Sequence, residues 1–233
     1  LMTAPAPLVV VRTQDFTPHL RRLVFSGPAL AAFPADCDGA PVELRLPGPT
    51  GPVARFYSIA RLDAAANELA LDFQLRDDAG PASNWARRAL PGARVEVVVP
   101  AAGVVPLPPA DWYLYAGDVS GLAALAAAMR TLPRSARGIA LIEIERAEDR
   151  HAFERPAGIA VRWLLRRSVL GAASSPMLGD AMRGLAWPSA PSVMLAGEAT
   201  QVARLAAYLL NERGVPAGQL RSAAHWQEGS NAD

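Results

Sequence analysis

The sequence contains no lysine, so all 23 of its basic residues are arginine. That excludes lysine Schiff-base chemistry and a phosphate loop ending in Gly-Lys-Ser/Thr. Cysteine is nearly as scarce: Cys37 stands alone, makes neither an internal disulfide nor a metal site by itself, and fits a reducing compartment. The three histidines, His19, His151 and His225, are too far apart for metal-ligand spacing, and no metal is expected. Neither sign of charge is in excess; 23 basic residues face 22 acidic ones, which argues against a nucleic-acid partner. Long apolar runs are missing too. Leu122 to Met129 falls far short of the ~20 residues a spanning helix needs, so no membrane partner is expected. The first residues carry no basic, apolar, small-residue export signal, and a cytoplasmic location is expected.

What is present is a chain of 233 residues, 51% hydrophobic, which is enough to bury one large core or two small ones. Up to about residue 100 it reads as short β-rich runs: Leu8–Thr13, Arg21–Phe25, Val42–Leu46, Ala54–Ile59, Leu69–Leu75 and Arg94–Val99. Between them stand Gly27-Pro28, Pro47-Gly48-Pro49, Gly51-Pro52 and Pro91-Gly92, which are turn signals. Short strands at this spacing predict a small antiparallel barrel, interrupted by one helix over Pro81–Leu90. From residue 111 strands and helices alternate. Trp112–Ala116, Gly138–Ile144, Ile159–Leu164 and Ser192–Ala196 read as buried strands, with helical runs through Met129 and over Thr200–Arg213. Gly214 reads as the second helix's cap and Leu220–Trp226 as a last strand. The expected fold is a β barrel over residues 1–102 followed by a parallel α/β domain over 110–233, joined by the linker Gly103–Pro109.

Three segments carry chemistry. In Arg55-Phe56-Tyr57-Ser58, alternation puts Arg55 and Tyr57 on one face of a strand, with Phe56 and Ser58 on the other. An Arg fork grips a phosphate bidentately, and an aromatic two residues on can lie against a planar ring. The same four residues also read as a half-exposed strand. In Gly80-Pro81-Ala82-Ser83, proline at the first helical position follows glycine, and small residues give a phosphate access to the helix tip. Trp85 reads as core. In Ala116-Gly117-Asp118-Val119-Ser120-Gly121, a strand-to-helix turn offers glycines either for close approach of a dinucleotide or for a plain turn. Ala196-Gly197-Glu198-Ala199 repeats the arrangement at a later strand. Arg146 and Arg150 lie in a run of mixed charge that reads as a solvated face or as a 2′-phosphate site, and Arg166-Arg167 reads as a surface pair.

In this order the segments resemble the siderophore-interacting, FAD-dependent ferric reductases of the ferredoxin-reductase-like flavoproteins. The resemblance rests on R-x-Y-[ST] at Arg55, Tyr57 and Ser58, on the strand Leu71–Leu75 followed by Gly80–Ala86, and on A-G-D at Ala116–Asp118. It also rests on W-L-x-R at Trp163, Leu164 and Arg166, on G-E-A at Gly197–Ala199, and on the aromatic-Trp-x-x-Gly stretch at His225, Trp226 and Gly229. The chain departs from the pattern at Arg76, where a histidine is common, and at Ala60, where an arginine is usual and Arg61 follows one step later. Val119–Ala123 and His225 depart from it as well.

The resemblance implies an N-terminal FAD-binding barrel and a C-terminal NAD(P)-binding domain. Arg55, Phe56, Tyr57, Ser58 and Arg76, with Gly80, Pro81, Ala82 and Ser83, would hold FAD. Gly117, Asp118, Ser120, Gly197, Glu198 and Trp226 would border the nicotinamide. Arg61 would face an anionic ferric siderophore. The implied activity passes electrons from NAD(P)H through FAD to Fe(III), with no protein acid or base, and it allows a monomer. Two other readings stay open: a ferredoxin- or flavin-type NAD(P)H reductase, and a non-catalytic flavin or siderophore binder.

Overall fold

The computed structural model describes residues 4–48, 51–76, 80–100, 105–166, 175–187 and 191–227. Pro49, Gly103 and Val104 of the expected turns and linker lie outside them, as do Arg167 and Gly229. The chain divides into two compact units between residues 104 and 105. Among the described residues no helix is long and apolar enough to cross a membrane.

In the first unit, strands β1 (Ala6–Thr17), β2 (Leu20–Ser26), β3 (Pro41–Pro47), β4 (Pro52–Asp63), β5 (Glu68–Gln74) and β6 (Arg94–Val98) close into an antiparallel barrel of order β1-β2-β5-β4-β3-β6. Period-2 burial along β3 turns Val42, Leu44 and Leu46 into a core shared with Phe25, Leu71 and Val97. Closure leaves no strand edge in need of cover. Helix α1 (Pro81–Arg88) packs on this core through Trp85 and Ala86, with the Trp85 ring stacked on Phe25 at 6.4 Å. The far end of α1 is capped by Arg21, whose Nη1 donates to the Arg87 carbonyl at 2.7 Å and to that of Ala86 at 3.3 Å. Cys37 is buried beside Asp38; burial first, then that carboxylate, pushes its thiol up to about 11, so it is not a ready nucleophile.

One irregularity in the barrel was not visible in the sequence. Pairing between β4 and β5 shifts register between Ile59 and Arg61, so Ala60 is the extra residue of a bulge. Ile59 and Leu62 therefore both pack on the core although they are three apart, and Arg61 is turned outward and exposed.

In the second unit, β7 (Tyr113–Asp118), β8 (Gly138–Ile144), β9 (Ile159–Leu165), β10 (Ser192–Glu198) and β11 (Leu220–Trp226) form a parallel sheet of order β11-β10-β7-β8-β9. The order reverses direction between β7 and β10, which is the switch point of the sheet. Helix α2 (Leu122–Arg130) is apolar almost all round and buried. Helix α4 (Ala199–Asn211) ends as the sequence suggests: Gly214 adopts φ +65°, and the Val215 N–H reaches back to the Leu209 carbonyl at 3.0 Å. Helix α3 (Met177–Arg183) escaped the sequence reading because it has only seven residues and a glycine inside, although Leu178 and Met182 sit one turn apart in the core.

Arg166 corrects an expectation. It is not a surface residue; it lies just past β9, and its Nε donates to Glu143 Oε1 at 2.7 Å, where Glu143 is only 1% exposed. Nothing in the local sequence of an Arg-Arg pair reveals that its partner is a carboxylate inside an apolar strand. Removing one partner strands a buried charge. Arg166→Met is expected to lower the unfolding free energy by about 3–5 kcal/mol. Urea denaturation measures it, and a loss below about 1 kcal/mol, as for a surface pair, would contradict the assignment.

Candidate functional site

In the first unit, Arg55 and Tyr57 share one face of β4 and pair with Leu44 and Val42 of β3. Tyr57 is half-buried against the core, with its ring 4.3 Å from that of Phe73. Burial pushes its phenol well above the ordinary range, and the Arg55 guanidinium offsets this only in part. Phe73 in turn lies 5.9 Å from Trp85, so three rings link Tyr57 to α1. On the other face of β4, Phe56 is 63% exposed, while Ser58 is 5% exposed beneath the bulge. The expected alternation is present, but Ser58 is covered and Phe56 is not.

The tip of α1 is open. A side chain placed at Gly80 would meet nothing within 4 Å, and Pro81 occupies the first turn. Ser83 is turned to the chain itself: its Oγ accepts the Arg76 N–H at 2.9 Å and donates to the Arg76 carbonyl at 3.4 Å. That carbonyl also accepts from Arg87 Nη2 at 3.2 Å. The serine thus fixes the segment before the helix, and the tip offers the backbone N–H groups of Ala82 and Ser83, which have no acceptor within the helix. These elements fit a flavin dinucleotide: a guanidinium, an aromatic face and an open helix tip carried by one rigid barrel.

In the second unit, the expected turn residues meet at the carboxyl ends of the strands. Asp118 ends β7 and is buried. Its Oδ1 accepts the N–H of Ser120 at 2.8 Å, the N–H of Gly121 at 3.3 Å and the Ser120 hydroxyl. Its Oδ2 accepts the Glu198 N–H and the Trp226 Nε1–H, both at 3.1 Å. Gly117 and Gly121 allow close approach of backbone, but to Ala196: a Cβ at either would stand 1.9 or 2.3 Å from the Ala196 carbonyl oxygen. Gly197, at φ +149°, faces Asp118, whose Oδ2 a Cβ would meet at 2.8 Å.

Three further residues, Gln201, Glu143 and Ser175, were missed. Glu198 Oε2 accepts the Gln201 N–H at 2.7 Å, and Gln201 Nε2 donates to Glu143 Oε2 at 3.3 Å. Glu143 also accepts from Ser175 Oγ at 2.9 Å and from Arg166. The one available signal was a carboxylate near the end of the otherwise apolar strand Gly138–Ile144. His225, on β11, is held low in pKa by burial, with the Asp118 charge opposing. Arg146 is half-buried and Arg150 exposed at the turn after β8.

Comparison with known proteins places these two units. Residues 40–104 match the model of the siderophore-interacting FAD-binding domain, and residues 110–229 that of the siderophore-interacting protein. A curated relative, the ferric vibriobactin reductase ViuB of Vibrio cholerae, is 28% identical over 98% of this chain and 92% of its own. The crystal structure of a siderophore utilization protein from T. fusca covers 100% of this chain and 98% of its own, with a TM-score of 0.88 at 27% identity. A ferredoxin NADP+ reductase from Neisseria gonorrhoeae, solved with FAD and NADP, shares the fold at a TM-score of 0.68 and 18% identity, covering 94% of this chain and 98% of its own. The chain belongs to the siderophore-interacting protein family, with a ferredoxin-reductase-like fold.

Proposed function

We propose that the protein is an FAD-dependent ferric-siderophore reductase, which takes electrons from NAD(P)H and passes them to chelated Fe(III). The observation that carries this is the first unit's pairing of Arg55 and Tyr57 on one strand face, linked through Phe73 and Trp85 to an open helix tip at Gly80. The 28% identity to a ferric vibriobactin reductase supports the acceptor.

FAD, when bound, accepts a hydride and releases electrons singly, chemistry that no side chain here supplies. One hydride carries two electrons, so each NAD(P)H reduces two ferric ions and leaves one proton. Arg55, whose Nη1 donates to the Ala54 carbonyl at 2.8 Å, would hold the diphosphate with its guanidinium, and the N–H groups of Ala82 and Ser83 would hold it at the tip of α1. Tyr57 offers its ring to the flavin. Arg76, whose backbone is bonded by Ser83, lies where the chain enters that tip. Arg61, turned outward by the bulge, would face an anionic chelate. A siderophore's hard oxygen donors hold Fe(III) far better than Fe(II), so reduction itself frees the metal and no protein acid is required.

Two outcomes follow. Charged hydrogen bonds contribute about 1.5–3 kcal/mol each, so Arg55→Ala is expected to weaken FAD binding by about 10- to 150-fold in a flavin-fluorescence titration. Arg94→Ala, on the exposed side of β6, is expected to leave it unchanged. Equal affinities for the two variants would remove Arg55 from the site. In an anaerobic cuvette, the FAD-loaded protein is expected to bleach on addition of NADPH and to recover its flavin absorbance when a ferric chelate is added last. A protein that never turns yellow with FAD, or bleaches without recovery, would contradict the proposal.

A further inference from the structure

We propose that Asp118 and Glu198 act as built-in anions at the switch-point crevice. They fill the positions that a dinucleotide's pyrophosphate takes at helix tips, so the crevice selects its electron donor by the nicotinamide end and accepts a phosphate-free dihydronicotinamide. This rests on the reading of the chain as a nicotinamide-dependent flavin reductase.

The dinucleotide-binding arrangement needs two things at the first strand-to-helix turn: backbone N–H groups aimed at the anion, and glycines that leave room for it. Neither is offered here. The N–H groups of Ser120 and Gly121 are both accepted by Asp118 Oδ1. At the neighbouring turn the Gln201 N–H is accepted by Glu198 Oε2, within a side chain that is fully buried. The room is taken as well, because the Ala196 carbonyl lies against the α-carbons of Gly117 and Gly121. Charge points the same way. Two carboxylates stand where a doubly charged linker would come, and two guanidiniums at this end of the sheet are engaged elsewhere. Arg166 is paired with Glu143 and Glu145, and Arg204 Nη2 donates to the Ser175 carbonyl at 2.6 Å. A like charge brought to either helix tip is repelled rather than gripped. The uncharged face of a dihydronicotinamide meets no such penalty, and the half-buried Trp226 indole, held by Asp118, stands at the same strand ends.

The test uses the full-length, FAD-loaded, oxidised protein and calorimetric titration with nicotinamide riboside, nicotinamide mononucleotide and inorganic pyrophosphate. The riboside and the mononucleotide are expected to bind within about threefold of one another, and pyrophosphate is expected to displace neither. A mononucleotide at least tenfold tighter than the riboside, or displacement by pyrophosphate, would overturn the proposal. Glu198→Gln keeps an oxygen to cap Gln201 but removes the charge. It is expected to raise the ratio of mononucleotide affinity to riboside affinity at least threefold, and an unchanged ratio would count against the built-in anion. Flavin bleaching by reduced nicotinamide riboside separates the two levels of the argument. Bleaching within tenfold of the NADPH rate supports both the proposal and the reductase reading. A flavin that stays oxidised with every dihydronicotinamide removes the reductase reading, while the titrations still judge the role of Asp118 and Glu198.

Discussion

A hydrogen-bonded network of side chains and backbone N–H groups runs across the carboxyl ends of all five strands of the parallel sheet. It passes from the Trp226 indole on β11 to Asp118 on β7, which also takes the backbone N–H of Glu198 on β10, and on through Gln201 to Glu143 on β8 and Arg166 beyond β9. Parallel strands have no hairpins to fix their ends, and this network does that work instead. Buried polar groups are tolerable only when each is matched by a partner, and here each carboxylate accepts from N–H donors while Glu143 also meets the Arg166 guanidinium. The arrangement sits where ligands of open α/β sheets are received, so the same residues that hold the sheet together also set what can approach it.

The two units solve the anion problem in opposite ways. In the barrel unit the guanidinium of Arg55 and the open tip of α1 present positive charge to the outside, and Ser83 stiffens the approach by binding the Arg76 backbone. In the sheet unit acceptors at the helix tips come from the chain itself: Asp118 takes the N–H groups of Ser120 and Gly121, and Glu198 takes that of Gln201. On the proposed reading a division of labour follows, in which the first unit would hold the diphosphate of the flavin while the second would meet a nicotinamide donor whose oxidised product has to leave after each hydride.

Much of the architecture could be read from the residues alone, for clear reasons. Strand runs with turn punctuation and a glycine-capped helix are local patterns, so the barrel strands, the parallel sheet and α4 were legible. So were Arg55 and Tyr57, because alternation fixes their common face. What stayed hidden depends on distant partners. The bulge at Ala60 exists only in the pairing of β4 with β5, and the burial of Arg166 only in its meeting with Glu143. The turn at Gly117 was legible as a turn with two uses open for its glycines; it took the position of the Ala196 carbonyl to show what the glycines accommodate. Short α3 was lost to a glycine in its middle.

The role of the sheet unit's helix tips turns on whether Asp118 holds its three backbone partners in solution. Amide hydrogen exchange at Ser120, Gly121 and Glu198 measures this directly. Protection as strong as that of the β7 backbone, unchanged by saturating oxidised dinucleotide, is the result this account requires. Fast exchange at those three amides, or protection that appears only once dinucleotide is added, would mean that the helix tips await an external anion and that the account is wrong.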